Sequence, residues 1–125
     1  MNQRLNRIRL FVAAIIMVAA GAGLLSCEKY QFMPPAVDPN YPWSFANDIQ
    51  PIFNDNCVSC HAGNKAPDLR EGKSYNALTK GNYVTPPGET SVLYVVMTGS
   101  DHSARSTDTD KLKVKYWIDQ GALNN

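Results

Sequence analysis

An apolar block opens the chain, and apolar spacing becomes periodic only beyond residue 42. Leu10 to Leu25 reads "LFVAAIIMVAAGAGLL", 16 residues without a charge, whereas residues 28–42, "EKYQFMPPAVDPNYP", show no periodicity and carry Pro34, Pro35, Pro39 and Pro42. Four segments then place apolar residues at helical intervals. "ANDIQPIFNDNC" predicts a helix capped by Asp48, with Pro51 in the first turn and Ile49, Ile52 and Phe53 facing inward. "LREGKSYNALTKG" puts Leu69, Tyr75 and Leu78 on one face and stops at Gly81. In "ETSVLYVVMTG", Val92, Val95 and Val96 suit a strand, but Thr90 or Ser91 before an apolar run and Gly99 after it favour a short helix. Met97 then follows Val95 and Val96 on a face read as buried. "STDTDKLKVKYWIDQG" has Thr107 as N-cap, Asp110 three residues on, an apolar stripe of Leu112, Val114, Trp117 and Ile118, and Gly121 as stop. With no alternating strands or repeats, the expectation is a small all-α domain over residues 43–125.

The apolar block belongs to a different kind of segment. Arg4, Arg7 and Arg9 precede it without an acid, and small residues follow it, the layout of an export signal. Its 16 residues fall short of the roughly 20 a membrane span needs. Leu24-Leu25-Ser26-Cys27 resembles the lipobox of bacterial lipoproteins, which implies cleavage before Cys27 and acylation of that cysteine. Residues 1–26 are then a signal peptide and 27–42 a Pro-rich tether, of which residues 28–42 extend over about 45 Å at roughly 3.1 Å per residue. Tyr41 and Trp43 are large enough to favour docking of the tether's end on the domain.

Removing that leader changes the charge. The whole chain carries 12 basic and 11 acidic residues, and loss of three arginines leaves 9 against 11, a formal −2. A mildly acidic domain has no basic stripe for nucleic acid. Lipidation of Cys27 would also leave Cys57 and Cys60 as a matched pair. A domain of this size with few large aliphatic residues commonly needs a staple, a metal or a cofactor.

The candidate chemistry lies in "NCVSCH", residues 56–61. Structural zinc needs a closed set of ligands, but the chain adds only His61 and His102, and His61 is strained by its adjacency to Cys60. A thioredoxin-like pair would open a helix in a βαβ frame, and no such frame is visible. C-x-x-C-H is the signature of covalent haem attachment: both thiols form thioethers and the histidine ligates iron. The small core leaves room for that macrocycle.

"FANDIQPIFNDNCVSCH" with the later "KYWIDQGALNN" resembles the small class I c-type cytochrome domains of exported Bacteroidetes and Planctomycete proteins. The resemblance covers Phe45 to Asn125. It implies a cytochrome c-like fold with first and last helices crossing over one haem c, Phe53 and Trp117 being candidates for the crossing. It also implies Pro67 as a carbonyl acceptor for the His61 imidazole. Arg70 and Arg105 are candidate partners of the haem propionates, and Tyr75, Tyr83 and Tyr94 candidate crevice residues.

Relatives commonly supply the second axial ligand from a Met-Pro before the last helix, where this chain has Arg105-Ser106-Thr107. His102 is the preferred replacement and Met97 the alternative, with a vacant position the third possibility. The expected function is a tethered electron carrier between periplasmic or outer-membrane redox proteins, not an enzyme. An open iron site would instead make a small-ligand sensor or a peroxidase-like protein. Glu28 after Cys27 points to the outer membrane, facing the periplasm, over the inner membrane or the cell surface.

Overall fold

The computed structural model describes residues 3–10, 12 and 36–125. The chain divides into two compact units, Met1–Met33 and Pro34–Asn125. In the first, residues 3–10 are helical; Cys27 and the apolar block from residue 13 onward lie outside the described residues, as does the tether up to residue 35. No described helix is long and apolar enough to cross a membrane. The second unit is helical, with no strand among its described residues.

The first helical run starts earlier than its apolar spacing predicts. Ser44, not Asp48, is the cap: its hydroxyl accepts from Asn47 N at 3.2 Å, while Asp48 Oδ2 accepts from Ser44 N at 2.9 Å. A wide turn, Phe45–Ile49, leads into α1, Gln50–Asn56. Ile49 N and Gln50 N donate five residues back, to Ser44 O and Phe45 O. Proline cannot donate and its ring crowds the carbonyl four residues earlier, so a widened turn before Pro51 relieves that crowding within a continuous helix.

The second helix, α2, is Ser74–Lys80. It omits Leu69, which sits in the preceding loop yet remains buried. Its end is also not what Gly81 alone predicts. Gly81 has φ −85°, and the left-handed residue is Asn82 at φ 56°. Tyr83 N donates to Leu78 O and Asn82 N to Thr79 O, a Schellman arrangement. Gly81 is required instead because a Cβ there would enter the Tyr83 ring.

A short 3-10 turn, Gly88–Thr90, leads to α3, Val92–Thr98. Here the buried face is Leu93 and Met97; Val92, Val95 and Val96 are exposed, reversing the expectation for the valines. Ser91 begins the helix without capping it, because its hydroxyl donates to Tyr83 O at 2.6 Å.

The last helix, α4, is Asp108–Asp119. Thr107 and Asp110 form a reciprocal capping box, and Gly121 at φ +97° ends the helix. Val114, Trp117 and Ile118 are fully buried, with Lys111 completing the inner face while Leu112 stands half-exposed beside it. The helix packs on the wide turn: Phe45, not Phe53, meets the Trp117 ring, with centroids 5.2 Å apart. Phe53 lies deeper in the same core.

Both ends of the domain are tied to this crossing. Gln120 Nε2 donates to Pro39 O and Tyr41 O, its Oε1 accepts from Trp43 N, and Trp43 is buried. The described end of the tether thus packs on the helical unit. At the other end, Asn125 O accepts from Ala46 N at 2.9 Å and Asn125 Oδ1 from Phe45 N at 2.9 Å. The tail supplies acceptors that the first helical turn lacks internally.

Candidate functional site

Helix α1 delivers Cys57 as its C-terminal cap, and the backbone turns once more: Cys60 N and His61 N both donate to Cys57 O, at 3.1 and 3.0 Å. This turn forms one wall of a cavity of about 420 Å³, within the roughly 300–1,000 Å³ range of small-molecule and cofactor sites. Leu69, Leu93 and Met97 line its apolar side, and His102 and Arg105 reach it from the loop before α4. That loop is a succession of turns in which His102 N and Ser103 N donate to Gly99 O and Arg105 N to His102 O. His102 is therefore carried on a hydrogen-bonded loop.

The His61 ring is oriented by a second contact. Its Nδ1 lies 3.1 Å from Pro67 O. A carbonyl can only accept, so Nδ1 carries the proton and Nε2 keeps its lone pair for a metal. The His102 ring faces it with centroids 6.4 Å apart and planes at 47°. Two imidazole nitrogens each about 2 Å from one metal, with ring centres about 1 Å behind them, give centroids roughly 6 Å apart. An axial pair on one haem iron fits this spacing.

Cys57 and Cys60 are free thiols. Burial pushes the Cys57 thiol above its ordinary value. Reactive redox thiols are lowered, often at a helix N-terminus, and Cys57 stands at the opposite end of α1. Among the described residues, no three His, Cys, Asp or Glu side chains converge as a metal-holding group. Two free thiols, Cys57 and Cys60, and two imidazoles, His61 and His102, thus line this cavity together.

The remaining residues singled out in the sequence divide. Pro67, Met97 and Arg105 line the cavity; Arg70 does not, and is turned to Asp68, which it meets at 2.6 Å. Hydrogen bonding by Arg70 holds the Asp68 carboxyl below its usual range. Tyr83 lines the cavity, whereas Tyr75 packs edge-on against Phe45 and Tyr94 lies elsewhere on α3. Lys65 and Leu93 are lining residues that apolar spacing and motif did not single out. Lys65 lies in the six-residue stretch between His61 and Asp68, so its closeness to the motif was the available signal. Leu93 required knowing which face of α3 turns inward.

Compared with known proteins, the chain matches no family model, no curated protein and no solved structure.

Proposed function

We propose that this chain is an exported, lipid-tethered c-type cytochrome of class I fold that carries single electrons between redox proteins. Cys57 and Cys60 would hold one haem c through thioethers, with His61 and His102 as its axial ligands. The observation that carries the reading is the approach of the His61 and His102 rings to 6.4 Å beside a cavity lined by both cysteines. Haem, once bound, supplies a one-electron iron couple whose potential depends strongly on axial ligation.

The chain's own residues do the rest. His61 donates Nδ1–H to Pro67 O, which fixes the ring and strengthens Nε2 as a ligand. His102 supplies imidazole where a thioether would raise the potential, so a low-potential couple is expected. Leu69, Leu93 and Met97 exclude water from one side, and Lys65 and Arg105 offer cations for carboxylates at the rim. Acylation at Cys27, by the lipobox likeness, would keep the carrier at a membrane, with the outer membrane favoured by Glu28.

Met97 supports a second ligation, because it is buried on α3 and lines the same cavity. Absorption and magnetic circular dichroism spectra of wild type, His102→Ala and Met97→Ala separate the two. Bis-imidazole ligation predicts a low-spin wild type, loss of the low-spin signature in His102→Ala, and no sulfur-to-iron band. A low-spin spectrum untouched by His102→Ala but abolished by Met97→Ala would transfer the role to Met97. High-spin wild type that binds carbon monoxide or reacts with peroxide would favour the sensor or peroxidase-like alternative. Failure of the denatured protein to retain haem would reject the cytochrome reading altogether.

A further inference from the structure

The Pro67 carbonyl that orients His61 lies on a loop with few internal ties. Residues 62–66 are all exposed, and the loop is closed by one backbone bond, Leu69 N to His61 O at 2.9 Å. Something else must hold the far end of that loop against α1. The buried Gln50 does so.

Gln50 is 5% exposed, and a carboxamide at that depth is costly unless its hydrogen bonds are made. Its Nε2 donates to Leu69 O at 3.1 Å and to Asn54 Oδ1 at 2.9 Å, and its Oε1 accepts from the Ser74 hydroxyl. Because Leu69 O can only accept, the amide's orientation is determined by chemistry. Both donors and the acceptor are engaged, and Ser74 is itself fully buried at the start of α2. One side chain thus joins α1, the loop and α2 at a point two residues from Pro67. Satisfied buried networks of this kind are rigid.

We propose that Gln50 is a positioning residue for the axial histidine: it fixes Leu69, hence Pro67, and through the Pro67 carbonyl sets how strongly His61 donates to the iron. The inference rests on the haem reading. A firm Nδ1–H···O bond increases electron donation by Nε2, which favours oxidised iron and lowers the potential. Releasing the loop weakens that bond and moves the potential up. Buried packing alone would give Gln50 an effect on stability and none on the couple.

The test uses the haem-loaded full chain, with midpoint potential, thermal midpoint and the ferrous His61 Nδ1–H proton resonance measured together. Gln50→Leu is expected to raise the potential and shift that resonance upfield, as a weaker hydrogen bond does. Ser74→Ala, which leaves the Leu69 contact in place, should give a smaller change of the same sign. Gly88→Ala, which sets a Cβ against the Lys115 carbonyl away from the cavity loops, should lower the thermal midpoint without moving the potential. Gln50→Leu that lowers only the thermal midpoint overturns the proposal. Should Gln50→Leu not accumulate, hydrogen exchange in wild type decides: Leu69 N–H, His61 Nδ1–H and the Gln50 side-chain N–H are expected to share one opening free energy once each is corrected for its intrinsic rate, and unrelated values overturn it. Wild type without covalent haem defeats the cytochrome reading itself, whereas a loaded protein with an unmoved potential defeats this proposal alone.

Discussion

At the scale of single residues, the two cysteines of one motif occupy different environments. Cys57 is half-buried against the core with its thiol pushed up by burial, and Cys60 is exposed. In haem-free folded protein at mildly alkaline pH, iodoacetamide should modify Cys60 several-fold faster than Cys57, with the difference abolished in urea; fragmentation by tandem mass spectrometry of the one tryptic peptide that holds both, residues 30–65, assigns each. These cysteines and His61 were legible in the sequence as candidates because C-x-x-C-H is a local spacing, and all three line one cavity. Pro67 and His102 depended on a family resemblance, and the structure brings both to the cavity with His61. Arg70 is instead paired with a nearby acid, Asp68, and does not line the cavity.

At the scale of elements, every predicted helix is present, and their errors share a cause: apolar identity does not say which way a short helix turns. On α3, a seven-residue helix, three valines face outward and Leu93 and Met97 inward, since the i, i+4 pair is the one that reaches the core. Thr107 and Asp110 were legible because capping is chemistry between near neighbours. Ser44 was not, because the wide turn before Pro51 begins ahead of the apolar run.

Contacts between elements yield two sharper expectations. A Cβ on Gly88 would collide with the Lys115 carbonyl oxygen, so the 3-10 turn reaches α4 only with glycine there. Gly88→Ala should cost about 1–3 kcal/mol, visible in urea unfolding as an earlier midpoint with little change in slope. Asp119 Oδ1 accepts from Gly88 N at 2.6 Å and its Oδ2 from Lys115 Nζ at 2.8 Å. Burial alone would raise this carboxyl, but the Lys115 and Gly88 bonds outweigh it and hold Asp119 below its usual range. A lowered carboxyl contributes stability above its ordinary range and loses it as pH falls through the lowered value. Asp119→Asn should therefore flatten the acid limb of the stability curve, and the variant and wild type should converge at low pH.

At the scale of the molecule, the helical class could be read from the apolar spacing, but the closure of the core could not. Closure depends on pairs 77 to 81 residues apart, such as Trp43 with Gln120 and Ser44 with Asn125, and polar side chains carry no long-range signal in one sequence. The small core makes cofactor dependence the main global expectation. Cys57→Ala/Cys60→Ala, unable to retain haem covalently, should lose several kcal/mol and unfold at least about 10 °C lower, each kcal/mol being worth roughly 4–8 °C at this size. A double variant as stable as wild type would show that the helices suffice alone.

The hydrogen bonds from Asn125 to the first turn also order events in time. The helix that leads into the Cys57–His61 turn acquires its last N-terminal acceptors from a residue 64 positions beyond His61, counting 125 − 61. At roughly 5–20 residues per second, several seconds of synthesis separate the two. Through that interval α1 can exist while the acceptors for its first turn are still unmade. The start of the first helix is thus satisfied by groups far along the chain, so its fraying and that of the C-terminal segment are one event.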